Sequence, residues 1–318
     1  MLGRLNYSLT QLEYVLAVNK FGHFSKAAAA CHVSQPTLSM QLQKLENDLG
    51  VVIFDRSKKP VLLTDVGHQL IDQIQKILFE ARKMNQLIMI SQERGLEGQL
   101  ILGVIPTVAP YLLPRLLPAV EKLFPGLRLK ILELQTHQII EHLNEDELDV
   151  GVLAIPVETP GLLEEALYCE SFSILCHKGH ELSAHKRIKS STLKSEDLWL
   201  LEEGHCLRHQ VLDVCALRGN GNSRKKFSFE SGSLETLKNL IETYGGYTLL
   251  PALAGQLIGK NSCLIPFEKP IPAREIGLVF RREHYKAELI KALREAVLSC
   301  IPEELRKTRR KDLEVLPI

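Results

Sequence analysis

Residues 34–50 read SQPTLSMQLQKLENDLG, from Ser34 to Gly50. Ser34 is a good N-cap and Pro36 suits a first helical turn. Leu38, Leu42, Leu45 and Leu49 recur at steps of 4, 3 and 4, which predicts one buried stripe before Gly50 ends the helix. The opposite face carries Pro36, Met40, Gln43 and Asn47, flanked by Thr37, Ser39 and Lys44, with no acid before Glu46. Upstream, Ser8 and Gln11 make a capping box, and Leu9, Leu12, Val15 and Leu16 supply an apolar face that ends near Phe21 and Gly22. Ser25 then opens an alanine-rich helix that closes near Val33. Downstream, Phe54 to Leu63 (FDRSKKPVLL) reads as a small basic hairpin. Two short helices joined by a tight turn and followed by a basic hairpin describe a winged helix-turn-helix. In that geometry Ser34, Gln35, Pro36, Thr37, Ser39, Met40, Gln43 and Lys44 face base edges of double-stranded DNA, while Arg56, Lys58 and Lys59 neutralise phosphates. An amphipathic helix with a merely solvated polar face satisfies the same periodicity.

Val66 to Ile90 reads as one uninterrupted helix. Leu70, Ile74, Ile77, Ala81, Met84 and Ile88 alternate steps of 4 and 3, the spacing of a coiled-coil seam, and predict a dimer; a helix packed on its own domain is the competing reading. Beyond Gly98 strands and helices alternate: strands at 100–105, 129–134 and 150–154, helices at 108–123 and 137–144. This is the signature of a doubly wound α/β sheet. A second α/β segment offers strands at 172–176, 199–201, 227–229, 248–250 and 263–265, and Ile276 to Phe280 suits a strand of the first sheet. A crossover near Glu170 and a return near Lys269 would give two lobes around a cleft. The expected organisation is a winged helix-turn-helix over 1–65 and a dimerisation helix over 66–92. An effector subdomain follows from 97–169 with 270–318, and a second over 170–269.

Composition sets bounds. With 318 residues, 45% hydrophobic and 24% charged, the chain holds two or three globular domains. Its net charge of +1 confines any DNA-binding signal to a local patch. The start, MLGRLNYSLTQLEY, has no apolar run of signal-peptide or membrane-spanning kind, so a cytoplasmic protein without membrane attachment is expected. Seven cysteines without CxxC or CxxH spacing argue against a disulfide scaffold or a zinc site, and no cofactor is expected.

The stretch FSKAAAACHVSQPTLSMQLQKLENDLGVVIFDR, with VLLTDVG after it, resembles the LysR-type transcriptional regulators. The resemblance covers nearly the whole chain. It implies a winged helix, a dimerising helix and a two-lobed, periplasmic-binding-protein-like α/β effector domain, in homodimers assembled to homotetramers that bind promoter DNA and engage RNA polymerase. Four further stretches are similar to the peroxide-sensing members of that family: GVIPTVAPYLLP (Gly103 to Pro114), ELQTHQ (Glu133 to Gln138), LEEGHCLRHQVLDVC (Leu201 to Cys215), and SLETLKN with TLLPALA (Ser233 to Ala254).

That likeness implies a redox role for Cys206 and Cys215. On a single helix nine residues would separate them by about 13 Å and place them on opposite faces, whereas a disulfide needs Cα atoms within about 7 Å. Pairing therefore requires the segment to unravel, which makes oxidation a conformational switch. His205, Arg208 and the helix start favour a thiolate at Cys206, with Glu202 and Glu203 opposing. The implied chemistry is oxidation of Cys206 by hydrogen peroxide to a sulfenic acid, then a Cys206–Cys215 disulfide reset by thiol reductants. This is signalling, not enzyme turnover. The likeness also places Thr107 in a peroxide pocket, with Thr136, His205 and Arg274; read from the residues alone, the two threonines are ordinary N-caps and Arg274 a surface arginine. Cys31, Cys169, Cys176, Cys263 and Cys300 read as inert thiols, with no partner identified for Cys169, Cys263 or Cys300. Two alternatives stand: a regulator that senses a small organic anion in the cleft, and a thiol peroxidase.

Overall fold

The computed structural model describes residues 6–91, 97–194, 197–215, 231–282, 286–307 and 310–317. The chain divides into two compact units, residues 1–94 and 95–318.

The first unit contains α1 (Leu9–Phe21), α2 (Phe24–Ala30), α3 (Gln35–Leu49), a two-stranded wing of β1 (Phe54–Asp55) and β2 (Leu62–Leu63), and α4 (Asp65–Ser91). Ser8 and Gln11 form the expected capping box. Ser34 accepts the Thr37 N–H, and Gly50 closes α3 in the left-handed conformation at φ 69°. Leu38, Leu42 and Leu45 are fully buried, but Leu49 is 37% exposed, because the last residue before the turn has no helix beneath it. The second helix starts at Phe24, one residue before Ser25, with an extended His23 as its N-cap. Ile71, Ile74 and Leu78 of α4 belong to this unit's core, with Leu70 and Ile77 against it. Much of the first half of the expected dimer seam thus packs on its own domain, while Met84 is 65% exposed.

The second unit starts with β3 (Gly98–Val104), α5 (Ala109–Leu123), β4 (Leu127–Glu133), α6 (Thr136–Asn144) and β5 (Val150–Ile155). Strand β3 lies between β4 and β5, parallel to both. Then comes β6 (Leu162–His177), a 16-residue strand, followed by α7 (Cys206–Val214), α8 (Leu234–Tyr244), β7 (Tyr247–Pro251), β8 (Ser262–Pro266), β9 (Ile271–Arg281), α9 (Ala287–Cys300), α10 (Glu303–Lys307) and β10 (Leu313–Val315). Strand β9 runs antiparallel to β5 and to β6 from Leu162 to Ser171. From Phe172 onward β6 pairs instead with β7 and β8. The chain leaves the first sheet within β6 and returns to it between β8 and β9. Each lobe has its own core, one around Leu102, Val152, Leu278 and Leu293, the other around Phe172, Leu237, Leu249 and Phe267.

Some expected elements differ. The segment 199–201 is no strand; its neighbour Leu198 makes a single bridge to Tyr247. The strand expected at 227–229 lies outside the described residues. Helix α9 buries Leu289, Leu293 and Val297 against the first lobe, a role that the strand and helix alternation read from the sequence does not include.

Candidate functional site

In the first unit Ser34, Gln35, Pro36, Thr37, Met40, Gln43, Lys44 and Lys58 are exposed, and Ser39 is half-buried. Ser34 Oγ lies 2.7 Å from Thr37 Oγ1, so both hydroxyls also serve the helix start. Arg56 is held from within the protein: Nη2 lies 2.7 Å from Glu46 Oε2, and the guanidinium carbon sits 5.1 Å from the Phe24 ring centre. The buried Glu46 carboxylate also accepts the backbone N–H groups of Ile53 and Phe54 at 2.8 and 3.2 Å. Glu46 and Arg56 together pin the wing to the end of α3, and this pairing occupies part of the Arg56 guanidinium. Glu46 escapes the sequence reading as a structural residue, although an acid four residues after Leu42, beside the buried leucine stripe, is a visible signal.

In the second unit the carboxyl ends of β3 and β4 face the following helix starts, the place where α/β folds hold small ligands. Thr107 and Arg274 meet there. Arg274 is 1% exposed, so the surface-arginine reading fails. Its Nε donates to Glu170 Oε1 at 2.8 Å, its Nη1 to Thr107 Oγ1 at 2.9 Å, and its Nη2 to the Thr107 carbonyl at 3.2 Å. Glu170 Oε2 accepts the Leu253 N–H at 3.2 Å, which completes a buried network between β6, β9 and the turn after β3. An acid between Tyr168 and Phe172, in the buried part of β6, is the signal for Glu170. The threonines are not N-caps: Val108 precedes α5, and Gln135 caps α6 in a capping box with Gln138. Thr136 is the half-buried first residue of α6.

His205 is buried immediately before α7, with Nε2 3.4 Å from Gln135 Nε2 and 3.6 Å from Glu202 Oε1. Burial lowers its pKa below the ordinary histidine value, against the pull of Glu202 and Glu133. Gly204 makes this approach possible. It adopts φ 92°, and a Cβ there would run into the Gln135 side-chain oxygen. A cavity of about 380 Å³ opens beside His205, Gln135, Gln138, Glu133 and Ser233. Arg208 donates instead to the Leu201 carbonyl at 2.7 Å.

Cys206 is the first residue of α7 and is buried in the core of the first lobe; Cys215 closes the helix and is buried in the core of the second. Nine helical rises separate them by about 13 Å. Burial pushes the Cys215 thiol up to about 12. Three of the remaining thiols meet side-chain partners: Cys176 Sγ lies 3.5 Å from Cys263 Sγ, and Cys169 Sγ lies 3.7 Å from Glu275 Oε1. The expectation that Cys169 and Cys263 lack partners is thereby corrected; strand pairing brings together residues 87 apart in sequence.

Comparison with known proteins follows the same division. Residues 9–68 match the family described as "Bacterial regulatory helix-turn-helix protein, lysR family", and residues 93–299 match "LysR substrate binding domain". A "Hydrogen peroxide-inducible genes activator" of Dickeya chrysanthemi is 38% identical over 276 residues, covering 86% of this chain and 89% of the relative. The "DNA-binding transcriptional dual regulator OxyR" of Escherichia coli is 38% identical over 294 residues, covering 90% and 95%. Among solved structures, a full-length OxyR from Pseudomonas aeruginosa with a cysteine replaced by aspartate matches with a TM-score of 0.76 at 34% identity, covering 93% of this chain and 96% of that one. A cysteine-to-serine OxyR from Corynebacterium glutamicum with hydrogen peroxide bound matches with a TM-score of 0.61 at 29% identity, covering 99% and 98%.

Proposed function

This chain belongs to the LysR family of transcriptional regulators, and on that premise we propose that it is a DNA-binding regulator that senses hydrogen peroxide through Cys206 and Cys215. Peroxide is held at the buried Thr107–Arg274 network, with His205 and Thr136 assigned to the same task by the likeness to peroxide sensors. The Cys206 thiolate attacks one peroxide oxygen, the O–O bond breaks, and hydroxide leaves to become water on protonation. The resulting sulfenic acid is attacked by Cys215, which forms the disulfide and releases a second water. One observation carries this reading: the two thiols end the same helix in two different cores. Their pairing must dismantle α7 and loosen the seam between the lobes.

The raised Cys215 fits a resolving thiol that reacts only after the helix opens. The rearranged lobe changes how effector domains pack in a homotetramer, and hence how paired winged helices, held together by α4, contact promoter DNA and RNA polymerase. Thiol reductants reset the pair, so the protein signals and does not turn over as an enzyme. Its place is the cytoplasm, where promoter DNA lies; among the described residues no helix is long and apolar enough to cross a membrane.

The test is peptide mapping of the full chain before and after peroxide, with the Cys206→Ser variant in parallel. A Cys206–Cys215 linkage and the loss of peroxide-dependent transcription in the variant are expected. A variant that still responds to peroxide would overturn the proposal. A response to a carboxylate ligand instead would favour a sensor of small organic anions.

A further inference from the structure

Cys176 and Cys263 occupy directly opposed positions on β6 and β8. Lys178, two residues beyond Cys176, donates its N–H to the carbonyl of Asn261, its own opposite residue on that side. Antiparallel pairs alternate, so Cys176 and Cys263 also form a hydrogen-bonded pair, with Cα atoms about 5.5 Å apart. That separation lies inside the window a disulfide accepts. The sulfurs are already 3.5 Å apart, so bond formation needs rotation about side-chain bonds and no unravelling of backbone. Cys263 is half-buried on a strand that pairs on one side with β6, whereas Cys176 is fully buried. Burial and the facing Cys263 thiol raise the pKa of Cys176.

From this geometry we propose that Cys176 and Cys263 form a second redox couple, a cross-strand disulfide made by hydrogen peroxide without the participation of Cys206 or Cys215. Cys263 reacts first, because it is the partly accessible thiol. Its thiolate attacks peroxide, the S–O bond forms, the O–O bond breaks, and the departing hydroxide takes up the proton released by the thiol. Cys176 then attacks the sulfenyl sulfur of Cys263; the S–S bond forms, the S–O bond breaks, and hydroxide leaves with the Cys176 proton as water. Two thiols lose two electrons and two protons, and one peroxide becomes two waters. The contrast with α7 is physical. The first couple requires a helix to melt, whereas the second fastens two strands already paired and records oxidation without a change of fold.

The test uses the full chain carrying Cys206→Ser and Cys215→Ser together, so that failure of the proposed switch leaves this result readable. Peroxide is expected to lower the intact mass by about two mass units through loss of two hydrogens, to protect two thiols from alkylation, and to yield a peptide linking Cys176 to Cys263. Adding Cys263→Ser, or Cys263→Ala as a second replacement, should abolish the loss of two hydrogens. If both thiols stay alkylatable after peroxide, or the mass loss persists without Cys263, the proposal is overturned.

Discussion

Arg274 shows how much depends on a single residue. Its guanidinium neutralises Glu170 where both side chains are 1% exposed. Removing one partner of such a pair leaves an uncompensated buried charge, which costs roughly 3–5 kcal/mol. Arg274→Ala should therefore lower the denaturant midpoint of the effector unit and not only the peroxide response; unchanged unfolding would show that Glu170 finds another partner. His205 makes a prediction in pH. Its pKa is lowered in the folded chain from 6.5, so on acidification the unfolded chain takes up the proton first. The stability it contributes is complete above 6.5 and is lost as pH falls through 6.5 towards the folded value. His180 is lowered in the same direction, also by burial. His205→Asn should remove part, not all, of the drop in unfolding midpoint between about pH 7.5 and pH 5.5. Gly204→Ala should separate α7 from Gln135, because it opposes a positive φ and fills the contact at once; amide exchange across 205–214 is expected to quicken.

Helix α7 and helix α3 carry the predictions at the level of elements. Oxidation of the wild-type chain should raise amide exchange over Cys206–Val214, since the disulfide cannot form on an intact helix. In Cys215→Ser the same dose should leave the helix protected and the Cys206 sulfenic acid trappable by a dione reagent; melting of α7 in that variant would contradict the need for pairing. On α3, Ser34→Ala should cost about 1 kcal/mol of stability through the lost cap, read by thermal unfolding. Elements such as α3 were legible because local chemistry specifies them: Ser34, Pro36, the leucine steps and Gly50 all lie within one helix. The contacts of the candidate site were not. Thr107 and Arg274 are 167 residues apart, and Glu170 and Arg274 are 104 apart. Nothing in periodicity reports which buried acid meets which buried arginine. The seam on α4 illustrates the same limit, because Ile74 suits a partner chain and its own core equally well, and only packing decides.

For the whole molecule, the near-zero net charge makes DNA binding a matter of a few local cations. Lys58 is exposed on the wing, whereas Arg56 is paired to Glu46. Lys58→Ala should reduce the slope of log affinity against log salt by about one; Arg56→Ala should instead disturb wing geometry, with a loss of stability beyond the change in slope. Salt titration of promoter binding separates the two. The long strand β6 has a consequence of its own. Its hand-over from β9 to β7 falls between the consecutive residues Ser171 and Phe172, with ladder bonds on either side and no slack between them. The lobes therefore cannot slide apart as two bodies on a loose tether do. They share a torsion bar, and on the proposed mechanism whatever α7 releases on oxidation passes between the lobes as a twist about that bar. Paired spin labels across the cleft should accordingly report rotation with little change in the distance along β6.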